Sequence, residues 1–439
     1  MGIPTLQGLQ TALSGLMANQ DSLDVTGQNI ANAQTPGYSR QTAVLETREP
    51  LRISALSPTT GQGAQLGTGV GVETIVRIRD TYLDSEYRTD NSAMGSASTL
   101  AETLEQVQSA LEEPSSSGLS SQLSSFWSSW NDLADSPTSA AAKEAVVSAG
   151  GEVATTVKQL SAQITAAETE VTERYEALMG GSGEVRSDAE QIAQLNGQIK
   201  SSEQAGQPPN ELLDRRDELI DQLSKLAQVS VSEGEYGVDT ISFGGSAEPL
   251  IEGSTVNWPP TLSASSGGEL GALLNLAGPE GKLAELQEKL NVVAEALTSS
   301  VNALQPSVFF SFAAGEAAAS LEVSASAEQL RAGSEGEPGA NNFALKLAGL
   351  RGGEAEQLYT AFVTGIGSDV QTAQASEGNA EAMLSAIAAQ RQSVSGVSLD
   401  EEMTNLMTFQ RGYEASARVL TAMDSLLETL IEHTGTVGL

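Results

Sequence analysis

Apolar residues at both ends of the chain are separated alternately by three and four positions, and this spacing constrains the fold more than any other feature. The N-terminal series skips Gln20 and Gly27 and comprises Leu6, Leu9, Leu13, Leu16, Leu23 and Ile30. The C-terminal series skips Gln410 and Ala417 and comprises Leu399, Met403, Leu406, Tyr413, Leu420, Met423, Leu427 and Leu430. Such series are heptad seams rather than strand patterns. The sequence therefore predicts a long helix at each end, the first ending near Asn32.

These helices are most simply joined in a coiled coil, made with each other, with neighbouring subunits, or with both. Two ordinary amphipathic helices of one globular bundle would show the same periodicity and remain the alternative. We designate the N-terminal series, together with Met403, Leu406, Tyr413, Leu420 and Leu427, as the predicted assembly seam.

Between the ends, helical periodicity is interrupted by short β-branched segments bounded by glycine. We predict an extended segment over 41–77, then helices over 79–112, 119–134, 141–178, 184–204, 210–228, 282–304 and 342–393. Trp127 and Trp130 should lie on one helix face, and Ser136 with Pro137 should begin the fourth helix. Alternating charges over 212–219 are interpreted as support for a helix rather than as a site.

The predicted fold class is mainly α with a small β-rich part. It is a discontinuous long-helix bundle with terminal coiled-coil helices and one inserted β-rich outer domain. Residues 1–60 and 396–439 should form the coiled-coil assembly domain. Residues 61–228, 270–305 and 341–395 should form the helical core, and residues 229–269 and 306–340 the outer domain.

Charge excludes several classes of partner. Asp and Glu number 57 against 22 Lys and Arg, for a net charge of −35. Binding to nucleic acid is excluded because it depends on cations that neutralise phosphate, and an anionic membrane surface is disfavoured for the same reason. No apolar run is long enough to insert into a membrane. The first basic residue is Arg40, so we expect no cleaved signal peptide.

The sequence also lacks the residues of most catalytic and metal sites. It has no cysteine and a single histidine, His433, near its end. Glycine-rich segments at 67–71 and 281–282 do not match nucleotide-binding spacings, and no EF-hand pattern is present. We predict no catalytic residue, no cofactor and no metal.

A short turn motif follows the first helix. It reads Ala-Asn-Ala-Gln-Thr-Pro-Gly-Tyr-Ser-Arg over residues 31–40, and its key residues are Asn32, Thr35, Pro36, Gly37 and Tyr38. This motif resembles the N-terminal signature of bacterial flagellar rod, hook and hook-associated proteins, and residues 399–431 resemble the C-terminal helix of the same group. The segments ELLDRRDE (211–218) and GGELGALL (267–274), with Phe309 and Phe310, narrow the resemblance to the hook-associated protein 1 family.

The resemblance implies a structural subunit at the junction of hook and filament, polymerising into a ring through its terminal helices. It implies an extracellular, flagellar location reached through the type III export apparatus. The implied partners are further copies of the chain, the hook protein, the second hook-associated junction protein and a cytoplasmic export chaperone. The chaperone should bind Met403, Leu406, Tyr413, Leu420, Leu427 and Leu430. Another axial flagellar component, or a secreted adhesin or enzyme on a helical stalk, remains the alternative.

Overall fold

Helices make up most of the structure, a computed structural model that describes residues 3–53, 64–111, 113, 115–334 and 339–433. The first six helices are α1 Ile3–Ala31, α2 Thr81–Ala110, α3 Leu119–Asp135, α4 Ala140–Met179, α5 Glu184–Gln204 and α6 Asn210–Leu226. The others are α7 Gly268–Ala277, α8 Lys282–Asn302, α9 Ala317–Ser320, α10 Asn342–Ala348, α11 Glu354–Ser395 and α12 Leu399–His433. The prediction of a mainly helical chain is confirmed.

The strands form small antiparallel sheets. Between α1 and α2 the chain makes a long hairpin arm, in which β1 Gln41–Thr47 pairs with β4 Val70–Arg77 and β2 Leu51–Ile53 pairs with β3 Ala64–Leu66. A four-stranded sheet follows α6 in the order β5 Val229–Glu233, β6 Asp239–Phe243, β7 Ile251–Glu252 and β8 Thr255–Val256. Finally, β9 Phe310–Ser311 pairs with β10 Glu322–Val323.

An aromatic cluster fills part of the core beside α3. Trp127 and Trp130 are both fully buried on that helix, as their spacing predicts. The Phe126 ring lies 5.6 Å from the ring of Phe309, and Phe309 lies 4.7 Å from Phe310. On α4, Gly150 leaves room for Phe309, because a Cβ there would come within 2.8 Å of the phenylalanine ring.

One sequence prediction is wrong in detail. Ser136 belongs to the end of α3, while the Ser139 side chain accepts the Ala142 N–H and begins α4. The assignment of segments 229–269 and 306–340 to one outer domain stays a prediction; their strands form separate sheets. The physical reason is the burial of Phe309 and Phe310 against α3, which keeps the second segment on the helical core. The other proposed domain boundaries stay a prediction.

Candidate functional site: the terminal helix pair and its joint

Helices α1 and α12 pack against each other in an antiparallel pair. Gly8 lies opposite Met423, Gly15 opposite Ser416 and Asn19 opposite Gly412, and the pairing keeps this register to Asn29, which bonds Glu402. The two ends of the chain therefore pair with each other, one of the arrangements that the heptad spacing allows.

Small and polar residues form the face of α1 that is buried. That buried set comprises Gln7, Ala12, Ser14, Ala18, Ser22, Val25, Thr26 and Asn29. Glycines let the backbones approach closely: a Cβ on Gly8 would lie 2.8 Å from the Met423 methyl carbon, and one on Gly412 would collide with the Asn19 side chain. A larger side chain at Gly8 or Gly412 would therefore require Met423 or Asn19 to move.

The predicted assembly seam does not coincide with this contact. Leu13 is 38% exposed and Met403 is 51% exposed, so neither is buried between the helices. The other seam residues are half-buried, namely Leu9, Leu16, Leu23, Ile30, Leu406, Tyr413, Leu420 and Leu427. The side chains of Leu6 and Leu430 lie outside the described residues. Leu13 and Met403 therefore do not contribute to the contact within one chain, and the assembly seam stays a prediction.

The turn motif ties the helix pair to the hairpin arm through Asn29. The Tyr38 hydroxyl donates to Asn29 Oδ1 at 2.8 Å, and Asn29 Nδ2 donates to the Gln41 carbonyl at 2.9 Å and to Glu402 Oε2 at 3.2 Å. Burial, reinforced by Asp214 and other nearby carboxylates, raises the pKa of Tyr38 to about 12. Tyr38 therefore stays protonated and keeps its donor role at physiological pH.

Arg40 fixes the beginning of α12 to the end of this turn. Its Nε lies 2.8 Å from Glu402 Oε1 and its Nη1 lies 2.8 Å from Glu401 Oε2, while its backbone N–H donates to the Ser395 carbonyl. The Glu402 side chain is only 2% exposed. The base of the terminal pair is consequently held by a charge-assisted contact between residues far apart in the chain.

The turn also lies against α6, so two segments that the sequence singled out separately come together. A cleft of about 380 Å³ is lined by all five motif residues, Asn32, Thr35, Pro36, Gly37 and Tyr38, and by Glu211, Asp214, Arg215 and Glu218 of α6. Gly37 has a φ of +76°, which favours glycine at this point of the turn. Just beyond the turn, the Ser39 N–H donates to Asp214 Oδ2 at 3.1 Å.

Beside this cleft, four arginines from distant segments meet four aspartates, and we call this cluster the arginine joint. Its members are Arg77, Arg79, Arg88 and Arg391, with Asp84, Asp214, Asp217 and Asp221. Asp217 accepts from Arg77 and Arg79 at 2.9 Å each and lies 3.4 Å from Arg88. Arg391 spans Asp84 at 2.7 Å and Asp221 at 2.6 Å. The joint therefore fastens α6 to the hairpin arm, to α2 and to α11.

The charges of the joint are mutually compensated although they are buried. No side chain of the cluster is more than 19% exposed. Burial alone would raise the pKa of Asp217, but Arg79, Arg77 and Arg88 overcome this effect and lower it. Because removal of one partner leaves an unpaired buried charge, such clusters are sensitive to single substitutions.

Sequence reasoning missed this joint. The charges over 212–219 were interpreted as helix support, whereas only Arg215 and Glu218 form a pair within α6. Asp214, Asp217 and Asp221 instead share one face of α6, at separations of three and four positions, and bond to other segments. This spacing of carboxylates indicates a shared acidic face in the sequence, but it does not identify the arginines that form ion pairs with it.

No catalytic or metal-binding arrangement emerges from the part of the chain that the structure describes. Its histidine, aspartate and glutamate side chains form no group that could hold a metal ion. Among the described helices, none is long and apolar enough to cross a membrane. The candidate site thus consists of a helix pair, a turn and a network of ion pairs.

Comparison with known proteins identifies three matching family models. Residues 104–263 match "Flagellar hook-associated protein FlgK helical domain". Residues 388–432 match "Flagellar basal body rod FlgEFG protein C-terminal", and residues 9–38 match "Flagella basal body rod protein". The last two segments cover α12 and most of α1 with the turn motif, so the paired ends are also the parts shared with rod proteins.

Curated relatives agree with these families. The chain is 29% identical to flagellar hook-associated protein 1 of Salmonella typhimurium over 257 residues, 58% of this chain and 44% of that protein. A solved structure of the flagellar hook junction protein FlgK from Burkholderia pseudomallei aligns with a TM-score of 0.45 and 22% identity, over 53% of this chain and 47% of that one. Flagellar hook-associated protein 1 of Bacillus subtilis is 30% identical over 512 aligned positions, and the match covers 99% of both chains. The chain belongs to the flagellar hook-associated protein 1 family.

Proposed function

We propose that this chain is a structural, non-enzymatic subunit at the junction between the flagellar hook and filament, where copies assemble into a ring through their terminal helices. The observation that carries this proposal is the outward position of apolar residues on the α1–α12 pair. Family membership supports it, because the relatives are named as hook-associated proteins and match along the whole chain in one case.

The exposed apolar residues lie along both helices of the pair. On α1 they are Leu13 and Met17, and on α12 they are Leu399, Met403, Met407, Val419, Leu426 and Ile431, each between 38% and 73% exposed. Full burial of an exposed side chain of this kind gains about 1.5–3 kcal/mol, so covering a half-exposed one gains about half as much. Exposed apolar surface of this extent is typical of an interaction site. The helix pair is thus arranged to be covered by neighbouring subunits.

In this proposal, the ring contacts the hook protein on one side and the second hook-associated junction protein on the other. In the same proposal the chain acts outside the cell, as part of the flagellum. The net charge of −35 supports solubility of the subunit before it assembles.

Before export, a cytoplasmic chaperone would cover α12. Its candidate binding residues are Met403, Leu406, Tyr413, Leu420, Leu427 and Leu430. Met403 is half-exposed already, and the next four are partly exposed, so a partner groove could bury them through anchors one helical turn apart. Calorimetry with the cognate chaperone should show binding to the full chain and none after deletion of residues 397–439. Equal affinity for both would contradict this assignment.

The substitution Leu13→Asp tests the assembly proposal. Leu13 points away from α12, so the subunit should stay folded. The introduced carboxylate should prevent assembly, because burying an unpaired charge between two copies is unfavourable. Cells carrying this variant should have hooks without filaments in electron micrographs, and the purified variant should keep its helical circular dichroism.

Gln10→Asp is the matched control, because it places the same charge at another exposed position of the same helix. This control should leave filaments in place. Motile Leu13→Asp cells with normal filaments would refute assembly through α1.

A further inference from the structure

The outer face of α12 carries an arginine, Arg411, that forms no ion pair with any residue that the structure describes. Met403, Met407 and Arg411 follow one another at intervals of one helical turn, and all three are exposed. Within the described residues, Arg411 forms no ion pair, whereas Arg418 lies 3.9 Å from Glu414. In a chain with so few cations, an unpaired arginine beside exposed methionines marks a surface for an acidic and partly apolar partner.

A groove of that character lies along α1. It has a volume of about 300 Å³, lies between α1 and strands β1 and β4, and is lined in part by Met17, Asp21, Glu46, Arg48 and Glu73. Its three carboxylates form no ion pair within the described part of the chain, and they outnumber the one guanidinium. Met17, which is 50% exposed, supplies an apolar wall. The groove is therefore suited to an arginine that arrives together with an apolar side chain.

One copy cannot bring these two surfaces together. The antiparallel register places Asp21 at the level of Arg411, yet the helix contact runs through Asn19 and Gly412 and leaves both charged residues on outer faces. A second copy can make the contact, because its α12 presents the same outer face to the groove of the first.

We propose that Arg411 of one copy, with Met407 beside it, docks in the groove formed by Asp21, Glu46 and Glu73 of the next copy. This inference rests on the assembly proposed above and adds the two faces that meet. The contact joins different surfaces of identical chains, and contacts of that kind produce closed rings or helical arrays. The apolar residues supply most of the attraction, while the charges fix register and partner.

Charge reversal tests the pair directly. Arg411→Glu and Asp21→Arg should each reduce the fraction of hooks that bear filaments at least tenfold, and the double variant should restore most of it. Arg418→Glu is the matched control on the same helix and should leave the filaments unchanged. An Arg418→Glu defect as large as that of Arg411→Glu, or a double variant no better than either single one, would overturn the proposal.

A cysteine experiment gives an independent readout, because the chain contains no cysteine. Cells that express Asp21→Cys and Arg411→Cys chains together should yield disulfide-linked dimers after oxidation of isolated flagella. Gly15→Cys and Ser416→Cys, whose positions face each other within one chain, should yield no dimers between copies. Absence of Asp21–Arg411 dimers would refute this docking, while the Leu13→Asp result would still decide whether the terminal helices assemble at all.

Discussion

Replacement of Asp217 by asparagine should strongly destabilise the folded chain. Asp217 accepts from three arginines, and the joint contains as many arginines as aspartates. Asp217→Asn keeps the shape of the side chain but leaves one positive charge in excess within a cluster whose side chains are at most 19% exposed. Removal of one partner from a buried ion pair costs about 3–5 kcal/mol. Because Asp214 and Asp221 still compensate part of the positive charge, we expect the free energy of unfolding to fall by about 3 kcal/mol.

Urea titration of the full chain, followed by circular dichroism, measures this loss as a lower unfolding midpoint. Glu190→Gln is the control, because its pair with Arg186 leaves the two side chains 58% and 40% exposed, and such pairs contribute less than about 1 kcal/mol. Two equal midpoints would refute the idea that the joint stabilises the molecule.

The joint also predicts a dependence on pH. The pKa of Asp217 is lowered in the folded chain, so its contribution is present above the ordinary carboxyl pKa and is lost as the pH falls through the folded value. The wild type should therefore lose more stability than Asp217→Asn on acidification below about pH 4. Parallel acid profiles for the two proteins would contradict this reasoning.

Two further substitutions and one proteolysis experiment have definite expected outcomes. Gly412→Leu should separate the helix pair, because its side chain would collide with Asn19, so protease should cleave α12 faster while the core keeps its urea midpoint. Burial raises the pKa of Asp188 to about 6, so the folded chain holds this proton more tightly than the unfolded chain and stability falls as the pH rises from about 4 to about 6. Asp188→Asn should weaken that fall, measured by urea midpoints at both ends of the range; an unchanged slope would contradict it. Limited proteolysis of the free subunit should remove roughly 30–50 residues from each end before it cuts the core, since the α1–α12 pair is partly exposed until neighbouring subunits cover it; termini as resistant as the core would refute this.

Local signals in the sequence were sufficient where glycine and proline bracket a helix. The predicted and observed bounds of α5 agree at Glu184 and Gln204, because Gly180 to Gly183 precede it and Gly206 to Pro209 follow it. By contrast, α7 was not predicted as a helix. It is only 10 residues long and is buried on most sides, so it shows no amphipathic period.

Contacts between distant segments could not be obtained in this way. Leucine spacing predicts both terminal helices, but it does not show that Gly8, Gly15 and Gly412 lie in the contact between them. Similarly, the acidic face of α6 joins segments of the chain only because Arg77 and Arg391 lie beside it in the folded structure. A single sequence shows the charges but not which of them will be neighbours.

The position of Arg391 in the chain has a consequence for timing. Ribosomes make the N-terminal segments first, so Arg77, Arg79 and the aspartates of α6 are complete long before Arg391 is added, and Asp84 and Asp221 wait for their common partner. The arginine joint of a nascent chain therefore stays incomplete until about nine-tenths of the chain has been synthesised. In a product that ends before α11, Asp84 and Asp221 lack the arginine that they share in the complete chain.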